Sequence, residues 1–270
     1  MQEKIKNITP QILKKLKERG EKIALLTAYD YPTALIEDRA GIEVILVGDS
    51  LGMVTLGYES TLQVTMQEML TACKSVKRGA KRAMVIADMP YMSYQPSNSL
   101  AIKNAGKFVG EANVDGIKLE GAGPILNRVK AIVNIGIPVM GHIGFTPQSL
   151  KKFGNYRVRG KSGEEAEELI QDARTLEDAG VFCIIVECVA EGVVKKIKKK
   201  VRVPIYGIGA GNECDGQILV VHDMLGLFPG FLPKYVKKYA DLSVTIEDAV
   251  KKYIREVKLG KFPDEEYSYH

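Results

Sequence analysis

Apolar residues in this chain gather into short, unbroken runs of strand length, and most of these runs stop at a glycine or a charged residue. The run at 44–47 is the clearest: Val44-Ile45-Leu46-Val47 ends at Gly48-Asp49-Ser50. A strand with no polar alternation is one buried on both faces, as in parallel sheets. Comparable runs are predicted at 22–28, 83–87, 116–120, 137–141, 182–186, 203–206 and 218–221. Between them the apolar spacing changes to that of amphipathic helices, at 32–40, 66–78, 164–179 and, last, 245–258. Thr9-Pro10 opens an N-terminal helix whose stripe is Ile12, Leu13 and Leu16, with Gly20 closing it. Strand-like runs alternating with helices predict an α/β protein, a single (β/α)8 TIM barrel over residues 1–270 with an N-terminal capping helix. A doubly wound open sheet is the structural alternative, because periodicity alone does not report closure. Two connections are long, 52–65 and 145–163, and the second carries Tyr156-Arg157-Val158-Arg159 as a candidate lid.

Composition narrows the class without changing that picture. With 46% hydrophobic residues the chain can bury a large core, and no apolar run approaches the ~20 residues that cross a bilayer. The net charge is +5, but acidic and basic residues are interleaved. The one basic cluster, 195–200, sits beside an apolar stripe of Val193, Val194 and Ile197, which makes it a solvated helix face rather than a nucleic-acid patch. Cys73, Cys183, Cys188 and Cys214 form no CxxC pair, and no secretory signal stands in front of them. Reduced thiols in a cytoplasmic protein are therefore expected.

Candidate chemistry collects at the strand ends. Asp49, Asp88, Glu120, His142 and Glu187 close five different runs, and Lys118 stands two residues before Glu120. Residues i and i+2 of a strand share a face, so Lys118 and Glu120 point the same way. The outside of a barrel strand is covered by helices, where two charges would be badly placed. Both are therefore expected to face inward at the mouth, where barrels and open α/β sheets bind their ligands. Converging carboxylates repel one another unless a cation joins them, and a set of Asp and Glu with few histidines suits Mg²⁺ better than zinc. A metal next to Lys118 suits an anionic substrate such as an α-keto acid, chelated through carboxylate and carbonyl. Chelation would stabilise the enolate left when a proton departs from the adjacent carbon. Glu187 is the natural acceptor for that proton, with His142 left open as an alternative. Gly207-Ile208-Gly209-Ala210-Gly211 is either an anion cradle or a tight turn, and His222 is expected to be a core histidine.

Several of these stretches together resemble the ketopantoate hydroxymethyltransferase family. They are Leu46–Val54 with its Gly48-Asp49-Ser50, Ala87-Asp88-Met89-Pro90-Tyr91-Met92-Ser93-Tyr94 and Ile117-Lys118-Leu119-Glu120-Gly121. Met140-Gly141-His142-Ile143-Gly144-Phe145-Thr146-Pro147-Gln148-Ser149, Tyr206–Gly211 and Asp215-Gly216-Gln217 with His222-Asp223 continue the order. The resemblance implies a (β/α)8 barrel, usually decameric, with small-molecule substrates. It implies transfer of a hydroxymethyl group from 5,10-methylenetetrahydrofolate to 3-methyl-2-oxobutanoate, giving 2-dehydropantoate. It also implies that Asp49, Asp88 and Glu120 hold Mg²⁺, that Asp49, Ser50, Asp88 and Lys118 hold the keto acid, and that Glu187 accepts the proton. The motifs assign no folate-binding residues. Thr71-Ala72 departs from the family's frequent Tyr-His in the helix after the second strand, a difference expected to touch packing or assembly rather than chemistry. Two other readings compete. One is a metal-dependent lyase or mutase of the phosphoenolpyruvate mutase/isocitrate lyase group, although the lyases' cysteine-bearing loop has no counterpart here. The other is a barrel that has lost catalysis and serves as an assembly subunit.

Overall fold

The computed structural model describes residues 7–154, 156–230 and 232–269. Residues 1–6, at the start of the expected capping segment, and Asn155, within the candidate lid, lie outside them. The chain forms two compact units, one ending at Val220 and one beginning at Val221.

The first unit is a closed barrel of eight parallel strands in sequential order. They are β1 (Ile23–Thr27), β2 (Val44–Val47), β3 (Met84–Asp88), β4 (Gly116–Glu120), β5 (Val139–Gly144), β6 (Cys183–Glu187), β7 (Ile205–Ile208) and β8 (Gly216–Leu219). Closure, which periodicity left open, comes from β8 pairing with β1, Ile23 beside Gly216 and Leu25 beside Ile218. Gly216 permits that approach: a Cβ there would stand 2.2 Å from the Ile23 carbonyl oxygen. The predicted strands are present with shifted ends. β5 continues to Gly144, so His142 sits within the strand, not at its end. β7 and β8 are each displaced by two residues from the predicted runs. The shifts have local causes. Pro204, with no N–H to give, cannot extend a ladder that needs one, and the glycines at 207 and 216 carry no apolar signal although they pair as strand.

Polar caps start the helices where the sequence offers a hydroxyl or carboxylate. Thr9 accepts from the Ile12 N–H, Asp30 from Thr33, Ser97 from Leu100 and Ser162 from Glu165. Thr65 and Glu68 form a complete capping box at the head of Met66–Gly79. Each such cap satisfies a donor that the helix itself leaves unpaired. The N-terminal helix Pro10–Glu18 places Leu13 in the same buried cluster as Ile23, Leu25, Met84 and Ile218. It therefore closes one end of the barrel interior, as expected of a capping helix.

Inside the barrel the odd–even alternation decides chemistry. Ile23, Val44, Leu46, Met84, Ile86 and Met140 fill the interior. The next inward positions towards the carboxyl ends are Asp88, Lys118, Glu120, His142 and Glu187, and all of them are buried. Strands β2 to β6 are buried at every position, because helices cover their outer faces. In β1 and β8 burial alternates instead, leaving Ala24 and Gln217 exposed.

The second unit runs from the short turn Val221–Met224 through an irregular stretch to the helix Leu242–Lys258. That helix buries none of its residues. Tyr253 and Phe262 meet edge-on at 5.7 Å, and Tyr267 lies 5.9 Å beyond Phe262. His222 is half-buried in this unit.

Candidate active site

The ladder brings the charged residues together in pairs. Asp88 on β3 is in register with Lys118 on β4, and Glu120 on β4 with His142 on β5. The Lys118 ammonium donates to both Asp88 oxygens at 2.7 Å and lies 3.3 Å from Glu120 Oε1. This is the inward pair expected from the spacing of Lys118 and Glu120, and every member is nearly inaccessible to solvent.

Asp49 enters from the end of β2. Its backbone N–H donates to Asp88 Oδ2 at 3.2 Å. One carboxylate oxygen from each of Asp49, Asp88 and Glu120 lies within 4.8 Å of the others, the group that could hold a metal ion among the described residues. Burial, then the charges of Asp88 and Glu120, push the Asp49 pKa well above the ordinary carboxyl range. Asp88 is raised by burial against the pull of Lys118. Glu120 moves the other way: burial would raise it, but Lys118, His142 and the Gln148 N–H together hold it low. Burial would lower the Lys118 pKa, and the surrounding carboxylates more than reverse that.

The fit to a divalent cation follows from charge and donor type. Three buried carboxylates face a single ammonium. With all three ionised, the excess is two negative charges in a medium where unscreened charge is costly. A small dication that prefers oxygen ligands neutralises that excess, and Mg²⁺ is such an ion.

Glu187 stands apart from this group, at the end of β6. His142 lies between the two, with Nδ1 3.5 Å from Glu120 Oε1 and Nε2 3.3 Å from Glu187 Oε2. These are ion-pair separations without hydrogen-bond alignment. Burial works to lower the His142 pKa, but the two carboxylates prevail and the net shift is upward. Directly after Glu187 the chain turns through Cys188, a non-glycine residue at φ 50°, a left-handed conformation that costs about 1–2 kcal/mol. The turn ends β6 at Glu187, and Cys188 lies just beyond the strand. Gly144, at φ 97°, packs against the same corner, and a Cβ there would lie 2.2 Å from the Glu187 carbonyl oxygen.

Ser50 is half-buried, its hydroxyl 2.8 Å from that of Tyr29 at the end of β1. The glycine loop behaves as a tight turn. Gly209 and Gly211 have positive φ, and the Cβ positions of Gly207 and Gly211 are occupied by Cys214 and Glu191. Thr71 is exposed and Ala72 buried in Met66–Gly79, where Thr71 donates to the Gln67 carbonyl, outside the charged cluster.

Three residues of the site have no signal in periodicity or strand-end position. Gln148 gives its side-chain amide to Asp49 Oδ2 at 3.0 Å and to the Met89 carbonyl at 2.9 Å, and its backbone N–H to Glu120 Oε2 at 2.9 Å. Its carbonyl accepts from Tyr94 at 2.8 Å, while the Tyr94 oxygen accepts from the Glu120 N–H at 3.2 Å. Tyr156 donates to Glu187 Oε1 at 2.8 Å. Their only hint in the sequence was membership of the motif stretches and of the long 145–163 connection.

The family model described as ketopantoate hydroxymethyltransferase matches residues 7–265. The chain belongs to the ketopantoate hydroxymethyltransferase family. Among its relatives is the 3-methyl-2-oxobutanoate hydroxymethyltransferase of Carboxydothermus hydrogenoformans, 54% identical over 262 residues, covering 97% of this chain and 95% of the relative. Its namesake from Moorella thermoacetica is 52% identical, covering 97% of each. In solved structures the fold is similar to a phosphonopyruvate hydrolase complexed with oxalate and Mg²⁺, with TM-score 0.62, 11% identity and coverage of 95% and 89%. A 2,3-dimethylmalate lyase of the PEP mutase/isocitrate lyase superfamily follows, with TM-score 0.59, 15% identity and coverage of 97% and 92%. At such identities the likeness is one of fold, so the runner-up group from the sequence shares this family's architecture.

Proposed function

We propose that this member of the family transfers the one-carbon unit of 5,10-methylenetetrahydrofolate, as a hydroxymethyl group, to 3-methyl-2-oxobutanoate. The products are 2-dehydropantoate and tetrahydrofolate. The C3–H bond of the keto acid breaks, a C3–CH₂OH bond forms, and one water supplies the hydroxyl oxygen. The observation that carries this reading is the separation of roles at the mouth. A buried Asp-Asp-Glu group is paired with Lys118, and the carboxylate of Glu187 is kept outside it by His142.

Asp49, Asp88 and Glu120 would hold Mg²⁺, which when bound draws electron density from the keto acid's carbonyl and acidifies the neighbouring C–H. Lys118 supplies the fixed positive charge that the substrate carboxylate needs in a buried site. With Asp49, Ser50 and Asp88 it binds and orients the keto acid. Glu187 takes the C3 proton. Burial of every one of these side chains except Ser50 keeps water from competing for the carbanion. The test is a purified-enzyme assay with both substrates and Mg²⁺. 2-Dehydropantoate should form, and EDTA should stop it reversibly. Absence of product, or product formation indifferent to chelator, would overturn the reading.

The same proposal places the chain in a homo-oligomer, decameric as the sequence resemblance implies. Ile246, Val250, Tyr253, Ile254 and Val257 form one exposed apolar stripe on Leu242–Lys258, and such a face is seldom left open to water. The exposed outer faces of β1 and β8 are a second surface that barrel architecture normally covers. Light scattering on the purified protein should give a mass several times 29.7 kDa, and Ile254→Glu should lower it. A monomeric wild type would refute the assembly. A reducing, cytoplasmic setting completes the proposal and is supported by four buried free cysteines.

A further inference from the structure

Glu187 is held from a direction that the strand ends do not supply. The connection between β5 and the helix Gly163–Asp178 crosses the mouth of the barrel, and Tyr156 reaches from it to Glu187 Oε1 at 2.8 Å. The two partners differ sharply in exposure: Tyr156 is 55% exposed, whereas Glu187 is 6% exposed. A surface residue has no need of a buried carboxylate to satisfy its hydroxyl, since water would serve. The contact instead constrains Glu187.

The ring that carries the hydroxyl is itself fixed. It lies 3.9 Å, centroid to centroid, from Phe145, which is fully buried and whose N–H is bonded to the Glu187 carbonyl at 2.9 Å. Further along, Arg159 bonds through its N–H to the Cys188 carbonyl at 2.7 Å and accepts from Ala190 at 3.1 Å. Its guanidinium stacks 4.6 Å from Phe153 and approaches Glu165 at 3.3 Å. The connection is thus tied to the backbone at Glu187 itself and just beyond it, at Cys188 and Ala190, and Tyr156 lies between the tied residues Phe145 and Arg159.

We infer that Tyr156 is a positioning residue for Glu187: its phenol, carried by the β5 connection, fixes the orientation of the carboxylate. The carboxylate of a Glu turns about its last bond through a broad, shallow well. One neighbour cannot hold it, and His142 at 3.3 Å without alignment is a weak restraint on Oε2. The phenol on Oε1 removes that freedom. Proton abstraction depends steeply on the approach of the accepting oxygen, whereas binding of the keto acid at Lys118 does not involve this contact. Tyr156 therefore acts on proton transfer and leaves keto-acid affinity alone.

The inference rests on Glu187 being the base, and the experiment separates the two. Exchange of the C3 proton of 3-methyl-2-oxobutanoate is followed by NMR in deuterated water, with Mg²⁺ present and folate absent. Wild type, Tyr156→Phe, Tyr156→Leu and Glu187→Gln are compared, and the concentration dependence of exchange gives KM and kcat separately. Tyr156→Phe keeps the ring on Phe145 and removes one charged hydrogen bond. It should slow the maximal exchange rate roughly ten- to a hundredfold with KM unchanged. Tyr156→Leu, which also loses the stack, should be slower still. If Glu187→Gln abolishes exchange while Tyr156→Phe matches wild type, the positioning role is wrong and the base stands. A Tyr156→Phe effect on KM alone would make Tyr156 a binding contact and also overturn the inference. If Glu187→Gln exchanges normally, the base assignment falls and the inference with it.

Discussion

Glu187→Gln should still bind 3-methyl-2-oxobutanoate but lose roughly 10²–10⁴ in the rate of C3 proton exchange, the usual contribution of a positioned general base. The substitution preserves shape, and a glutamine carbonyl can still accept from Tyr156, whose oxygen lies 2.8 Å away. Stability should therefore hold, and the loss falls on chemistry. Isothermal titration of the keto acid with Mg²⁺ present, beside the exchange measurement, checks both halves. The same geometry favours Glu187 over His142, the alternative that the sequence left open, as the proposed base. Both ring nitrogens of His142 face carboxylate oxygens, at 3.5 and 3.3 Å, and the imidazole's proton affinity is raised between them. A ring nitrogen that faces a carboxylate oxygen is not turned towards the substrate's proton. His142→Asn should accordingly slow exchange less than Glu187→Gln; the reverse order would exchange their roles.

That preference rests on contacts which the chain does not reveal before it folds. The barrel's strands were legible because β2 to β6 are buried on both faces and therefore nearly continuous in apolar residues. The inward direction of Lys118 and Glu120 was legible because period-two geometry admits a single answer for i and i+2. Convergence of Asp49, Asp88 and Glu120 followed from their equivalent positions at strand ends, and the three oxygens do meet. The closed barrel predicted from the eightfold alternation and the family resemblance is present, although periodicity alone does not report closure, since β1 and β8 pair across nearly the whole barrel sequence and neither strand carries that information alone. Gln148 and Tyr94 were missed for a related reason. Their bonds span 99 and 54 residues, and each residue lies in a connection after a strand, Gln148 in the single-turn 3-10 helix Pro147–Ser149, where hydrophobic periodicity is silent. The half-covered β1 and β8 and the unburied helix Leu242–Lys258 show the same limit from outside: an amphipathic pattern states that a face will be covered, but not by what.

Lys118→Met should be the most destabilising change at the mouth, because it removes the sole ammonium from among three buried carboxylates. Breaking a buried pair by deleting one partner costs about 3–5 kcal/mol, which in a chain of this size lowers the melting temperature by roughly 10 °C. The sign of the pH dependence follows from Glu120, whose carboxyl the Lys118 charge helps to hold below its ordinary range. A depressed carboxyl contributes stability above its unfolded pKa and loses it as the pH falls through the folded value. In the variant that contribution is gone, so the gap between wild type and Lys118→Met should be full from pH 8 down to pH 5 and should narrow only below the ordinary carboxyl range, as the pH falls towards the folded Glu120 value of about 2. Mg²⁺ provides an independent check. The ammonium and a dication compete for the same excess charge, so deleting the ammonium should strengthen the pull on the ion. Addition of Mg²⁺ should therefore raise the melting temperature of Lys118→Met by more than it raises that of wild type. An equal rise in both would mean that Lys118 serves the substrate carboxylate alone and does not share in balancing the metal site.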